Sequence, residues 1–137
     1  MTMKKSDRTE GKLLVVEKAK QMAAHTLRIT MNEKKFPKRY RFTLTNKIVD
    51  KAFDIYTLIY EANEMYPHNQ KELEKRLYNQ RLAVAYCRSL LSMIEIAKDA
   101  FGLETRSVAY WSKLITEVRI MTTSWLKKDV ERFRGKF

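Results

Sequence analysis

Only five residues in this chain interrupt a helix by their own chemistry: Gly11, Gly102, Gly135, Pro37 and Pro67. Across 137 residues that scarcity favours long helices over many short strands. Pro37 stops any helix before it and pushes Phe36 toward extended geometry. Pro67 closes a second segment, and Gly102 stands where a helix C-cap glycine would. Four segments with apolar residues at spacings of three and four lie between these breaks.

The first segment is predicted over residues 12–34. Leu13, Val16, Ala19, Met22, Ala23, Leu27 and Ile29 mark its stripe, with Lys20 snorkelling at the edge. A basic loop follows, and Thr43 or Thr45 is expected to cap the second helix. That helix ends before Pro67 and has a wide apolar face, including Ile48, Ala52, Phe53, Ile55, Tyr56 and Ile59. The third is predicted over residues 69–101, lined by Leu73, Leu77, Val84, Leu91, Ile94, Ala97 and Phe101. The fourth runs from residue 104 or 105 to 132. Its stripe is Val108, Trp111, Leu114 or Ile115, Val118, Met121 or Thr122, Trp125 and Lys128. Short connections make neighbours antiparallel. The expected fold is all-α: an up-down-up-down four-helix bundle over residues 12–134, with a disordered tail at 1–11 and a short tail at 135–137.

One domain of this length buries a core without staples. The single cysteine, Cys87, excludes an intramolecular disulfide and a cysteine-built zinc site. It also fits a reducing compartment. No apolar run is long enough to span a membrane, and the start of the chain lacks the apolar core of a signal peptide. A cytoplasmic location is therefore expected.

The charge is the best clue to function. Lys plus Arg number 28 against 16 Asp plus Glu, a net +12. A surface this basic costs self-repulsion unless a polyanion relieves it. Two clusters carry much of the excess. Lys34, Lys35, Lys38, Arg39 and Arg41 lie in the loop after the first helix, interleaved with Phe36, Tyr40 and Phe42. Lys127, Lys128, Arg132 and Arg134 lie at the end of the fourth, with Lys136 beyond. Cations neutralise phosphates and aromatics stack on bases, so these nine residues are the expected nucleic-acid-binding set. The aromatics have a plainer use, tucked into the bundle end. Lys127 and Lys128 also suit a helix C-terminus, whose dipole is negative. In an up-down bundle the two clusters fall at opposite ends.

Catalysis has no visible constellation. The Glu-x-x-His pair of di-metal bundles is absent, and His25 and His68 have no ligand at metal spacing. Three scattered glycines cannot form a phosphate-cradling loop, and no serine elbow is present. Cys87 is expected to pack inside the third helix, and Trp111 and Trp125 in the core. No catalytic residue, metal or cofactor is expected.

Three stretches carry a family resemblance. They are Phe36-Pro37-Lys38-Arg39-Tyr40-Arg41-Phe42-Thr43, then Tyr60-Glu61-Ala62-Asn63, then Tyr110 to Val118 followed by Thr123-Ser124-Trp125-Leu126-Lys127. With these, the chain resembles the accessory variability determinant (Avd) proteins of diversity-generating retroelements. Those are related in fold to the proteins encoded in ribosomal-RNA intervening sequences. The resemblance implies a non-catalytic accessory subunit that assembles as a homopentamer. It also implies nucleic-acid binding: template RNA, and with it cDNA or an RNA–DNA hybrid. Its implied partner is a reverse transcriptase, whose cDNA synthesis it supports. The rival expectation is a basic protein-interaction scaffold with no direct nucleic-acid role. A nuclease or other hydrolase is a weaker third.

Overall fold

The computed structural model describes the backbone of residues 5–137 and the side chains of residues 14–137. Four long helices make up most of it: α1 (Lys5–Thr30), α2 (Asn46–Glu64), α3 (Gln70–Phe101) and α4 (Thr105–Arg132). They pack in a closed cycle, α1 on α2, α2 on α3, α3 on α4 and α4 on α1. Named contacts give the directions. Lys18 meets Glu117 while Thr26 meets Trp111, so α1 and α4 run antiparallel. Lys51 sits over the Tyr86 ring while Arg76 reaches the Ala62 carbonyl, so α2 and α3 do too. The connection between Phe101 and Thr105 reverses α3 into α4. The fold is the four-helix bundle that the breaks and stripes imply.

On α2, α3 and α4 the buried seam steps by alternating threes and fours, a mean period near 3.5. That period keeps one seam facing its partners along the whole length. On α2 the seam is Ile48, Ala52, Ile55, Ile59 and Ala62. On α4 it is Val108, Trp111, Ile115, Val118, Thr122, Trp125 and Asp129. Ile115 and Thr122 therefore take the two positions that periodicity left open. Lys128 is exposed, and its neighbour Asp129 is the buried residue.

The boundaries follow local chemistry. Asn69 caps α3, accepting from the Glu72 amide at 2.9 Å. Gly102 takes φ 64° at the other end, and the Leu103 amide returns to the Lys98 carbonyl at 3.2 Å. α1 ends at Thr30, before the expected residue 34, because Asn32 makes its own turn. The Asn32 side chain accepts from the Lys34 amide at 3.0 Å and its carbonyl from the Phe36 amide at 2.8 Å. Thr45, one of the two expected caps, stands at the N-cap position of α2, but its side chain makes no capping bond. The chain winds without a break from a 3-10 turn, Lys38–Tyr40, through a π-helical turn, Arg41–Thr45. The amides of the first α2 turn are thereby bonded already, and Pro37, which has no N–H, stands at the start of the winding. Of the expected tail at 1–11, residues 1–4 lie outside the described residues, and residues 5–11 belong to α1.

The α1 seam differs from the expected stripe by about one residue. Val15, Ala19, Met22, Thr26 and Thr30 are buried, whereas Lys20 and Leu27 are exposed. Thr26 is tolerated inside because its hydroxyl donates to the Met22 carbonyl at 2.9 Å and accepts from the Trp111 indole N–H at 2.9 Å.

Candidate nucleic-acid interface

The two basic clusters do lie at opposite ends of the bundle. α4 has 28 residues, so they stand about 42 Å apart at 1.5 Å per residue.

At the first end the loop is pinned by Phe36, which is only 2% exposed. Its ring packs edge-on to Phe101 at 5.7 Å and to Trp111 at 6.0 Å. Phe36 is thus an anchor, the plainer of the two uses open to the loop aromatics. Tyr40 lies tilted on Phe101 at 5.5 Å. The Arg39 guanidinium covers Tyr40 at 4.9 Å and donates to its hydroxyl at 2.8 Å. Phe42 is the exception, 86% exposed on the π-helical turn. Lys34, Lys38 and Arg39 are exposed around these rings, and Lys35 is half-buried. Arg41 reaches Glu33 at 3.6 Å, so its charge is partly answered within the loop.

At the second end Phe133, buried below α4, carries a shelf of cations. Arg132 lies 5.0 Å from the Phe133 ring and 5.4 Å from the Tyr66 ring. The Lys136 ammonium is 5.4 Å from Phe133 and 5.9 Å from Tyr66. The hydrogen bond from Lys136 chiefly, and the charges of Lys136 and Arg132, hold the Tyr66 hydroxyl below its usual pKa. Tyr66 therefore joins this cluster, in which the sequence already places Lys136. Spacing gave no signal for Tyr66, which lies in the α2–α3 connection more than sixty positions before Arg132. Lys127 and Lys128 are exposed, while Arg134 pairs with Glu131 at 2.9 Å. An open depression nearby is lined by Glu61, Glu64 and Glu72 as well as Lys75 and His68. Its acidic wall repels phosphate.

The groups that sequence reasoning set aside for catalysis are occupied structurally. Cys87 is fully buried, and burial pushes its thiol up to about 12. A thiol so protonated is no nucleophile at neutral pH. His25 packs edge-on to Tyr110 at 5.2 Å, and burial first, then the Arg28 charge, lowers its pKa. Among the described residues no three His, Cys, Asp or Glu side chains gather as metal ligands. No helix among them is long and apolar enough to cross a membrane.

Comparison with family models, curated proteins and solved structures finds no match.

Proposed function

We propose that this protein is a nucleic-acid-binding accessory subunit with no reaction of its own. One observation carries the reading. Among the described residues, only Arg41 and Arg134 of the nine expected cations have a carboxylate within 4 Å. The other seven stand unanswered at the two ends, and two of them, Arg39 and Arg132, are held in place by aromatic rings. Fixed, unpaired cations bind phosphate with less entropy to lose than free lysines do. Multivalency around an assembly of several copies would multiply such contacts.

The resemblance to accessory variability determinant proteins supplies the finer proposal. The nucleic acid is then template RNA, with its cDNA or hybrid, and the partner is a reverse transcriptase. A homopentamer is the assembly it implies.

Salt-dependent binding of a fluorescent single-stranded RNA tests the reading. Replacing Lys34, Lys38 and Arg39 with Gln should weaken binding for every sequence and flatten the plot of log K against log salt by roughly 0.7 per lost contact. An unchanged slope removes the loop from the footprint.

A scaffold for an acidic protein partner is the second reading, favoured by Phe42, whose exposed ring suits an apolar pocket as well as a base. Excess unrelated RNA separates the two. It displaces the partner from an RNA-dependent assembly and leaves a protein scaffold intact.

A further inference from the structure

The two end clusters leave the middle of the bundle unexplained, and three arginines lie there. The side of each helix that faces each neighbour can be read from contacts. On α3, Tyr86 precedes the core residue Cys87 and meets Lys51 of α2. On α4, Tyr110 and Glu117 precede the core residues Trp111 and Val118 and meet His25 and Lys18 of α1. Positions just before a core residue thus face outward neighbours, and positions just after one face the α3–α4 joint. Arg81 follows Gln80, Arg88 follows Cys87, and Arg119 follows Val118. All three belong to that joint.

Their register is fixed by the reversal at Gly102 and by the meeting of Arg76 with Asp129. Counted from the Arg76–Asp129 meeting, Arg88 lies 12 residues along α3 and Arg119 10 residues back along α4, so they stand within about 3 Å of one level on opposite sides of the joint. The Arg119 charge also acts on the Cys87 thiol, which places it against α3. Arg81 lies one heptad from Arg88, about 10.5 Å along α3. Arg81 and Arg88 are exposed and Arg119 is half-buried, and none has a carboxylate within 4 Å among the described residues. Two like charges facing each other without a counter-charge cost energy in the free protein, and a bound anion relieves that cost. One heptad beyond Arg88 the row carries the exposed carboxylate of Glu95, then Lys98, and it ends near Phe101, which carries Tyr40 and Arg39 of the basic loop. At the other end the Arg76–Asp129 register sets Arg81 level with Ser124, about one turn before Lys127.

We infer that Arg81, Arg88 and Arg119 form a phosphate track along the α3–α4 joint, joining the basic loop to the C-terminal cluster. A nucleic-acid backbone lies lengthwise on this helix pair. This rests on the nucleic-acid reading above and assigns it a face.

The test uses the full chain and a fluorescent poly(U) strand, titrated at 50 and 200 mM salt. The variant carries Arg88→Gln and Arg119→Gln. The control carries Lys20→Gln and Arg28→Gln, exposed residues on α1 that remove the same charge from a helix packed on α2 and α4. Circular dichroism confirms that both keep their helices. The track predicts two fewer phosphate contacts in the variant. The wild type and the control should then lose about sevenfold more affinity than the variant across that salt range, from a slope change of about 1.4. An unchanged slope in the variant overturns the track while RNA binding stands. Equal flattening in the control overturns it in favour of diffuse charge. Loss of polyglutamate binding alone, with RNA binding intact, assigns the joint to an acidic polypeptide and overturns it as well. A wild type that ignores poly(U) at low salt removes both the track and the reading beneath it.

Discussion

Arg76 and Asp129 meet at 2.7 Å in the core, 53 positions apart in sequence, with side chains 0% and 2% exposed. The same carboxylate oxygen accepts from the Gln80 amide at 2.7 Å. The guanidinium also donates to the Ala62 and Met65 carbonyls at the end of α2, at 3.2 and 2.8 Å. One arginine thus ties three helices together at the end where the C-terminal cations sit. The ring faces of Trp125 and Phe133 enclose it at 5.3 and 5.9 Å.

Asp129→Ala should destabilise the fold by about 3–5 kcal/mol, because it strands a buried guanidinium. Replacing Arg76, Gln80 and Asp129 together with Met, Leu and Leu should cost far less, since no charge is left without a partner. Urea midpoints of the two variants check this. Equal losses would mean that the pair, rather than the orphaned charge, carries the stability.

Thr26→Val keeps the side-chain shape and leaves the Trp111 indole N–H without an acceptor in the core. A loss of about 1–3 kcal/mol is expected. Trp111→Phe added to it should cost less than the two single losses summed, and a double-mutant cycle by thermal unfolding measures the coupling.

Cys87 gives a signature at high pH. Its thiol ionises near pH 9.0 in the unfolded chain but only at about 12 in the fold. Its contribution to stability is complete below pH 9. It falls between pH 9 and 12, at about 1.4 kcal/mol per pH unit once the unfolded thiol is ionised. Cys87→Ala should remove that part of the slope, read as the difference between wild-type and variant urea midpoints from pH 8 to 11. Parallel curves would refute it.

Gly102→Ala places a Cβ on a backbone at φ +64° with no atom within 4 Å of it. The cost is then backbone strain alone, about 1 kcal/mol. A melting temperature that does not fall would count against the left-handed cap.

Phe42→Ala should leave the melting temperature unchanged, because the ring is so exposed. On the nucleic-acid reading it should weaken single-stranded RNA binding by about 1–3 kcal/mol through lost stacking, with the salt slope preserved. Fluorescence anisotropy at fixed salt checks it, and an unaltered affinity would take Phe42 out of the interface.

Much of this fold was legible in the chain. Pro37, Pro67 and Gly102 set the breaks, Gly102 caps α3, and Trp111 and Trp125 read as core because both fall on the same run of threes and fours as Val108 and Val118. These signals act within a few residues of their cause, so no tertiary knowledge is needed to read them. The α1 seam was less legible. Hydrophobicity ranks Leu27 above Thr26, and only the Trp111 indole on another helix makes Thr26 the buried residue. The candidate site divides the same way. Its cations are plain in the sequence, but Phe36 and Phe42 look alike there, six residues apart in one loop. The positions of Phe101 and Trp111 decide that one ring anchors and the other faces water.

By itself the sequence determined that the chain makes four helices, where each begins and ends to within a few residues except at the start of α1, and that positive charge gathers near two of the breaks. Tertiary structure alone decided which polar groups go inside and which cations share a face. Burial of Arg76 is favourable only because Asp129 and the Ala62 and Met65 carbonyls arrive from other parts of the chain. One residue of helix turns a side chain by about 100°, so register between α3 and α4 is what sets Arg88 opposite Arg119.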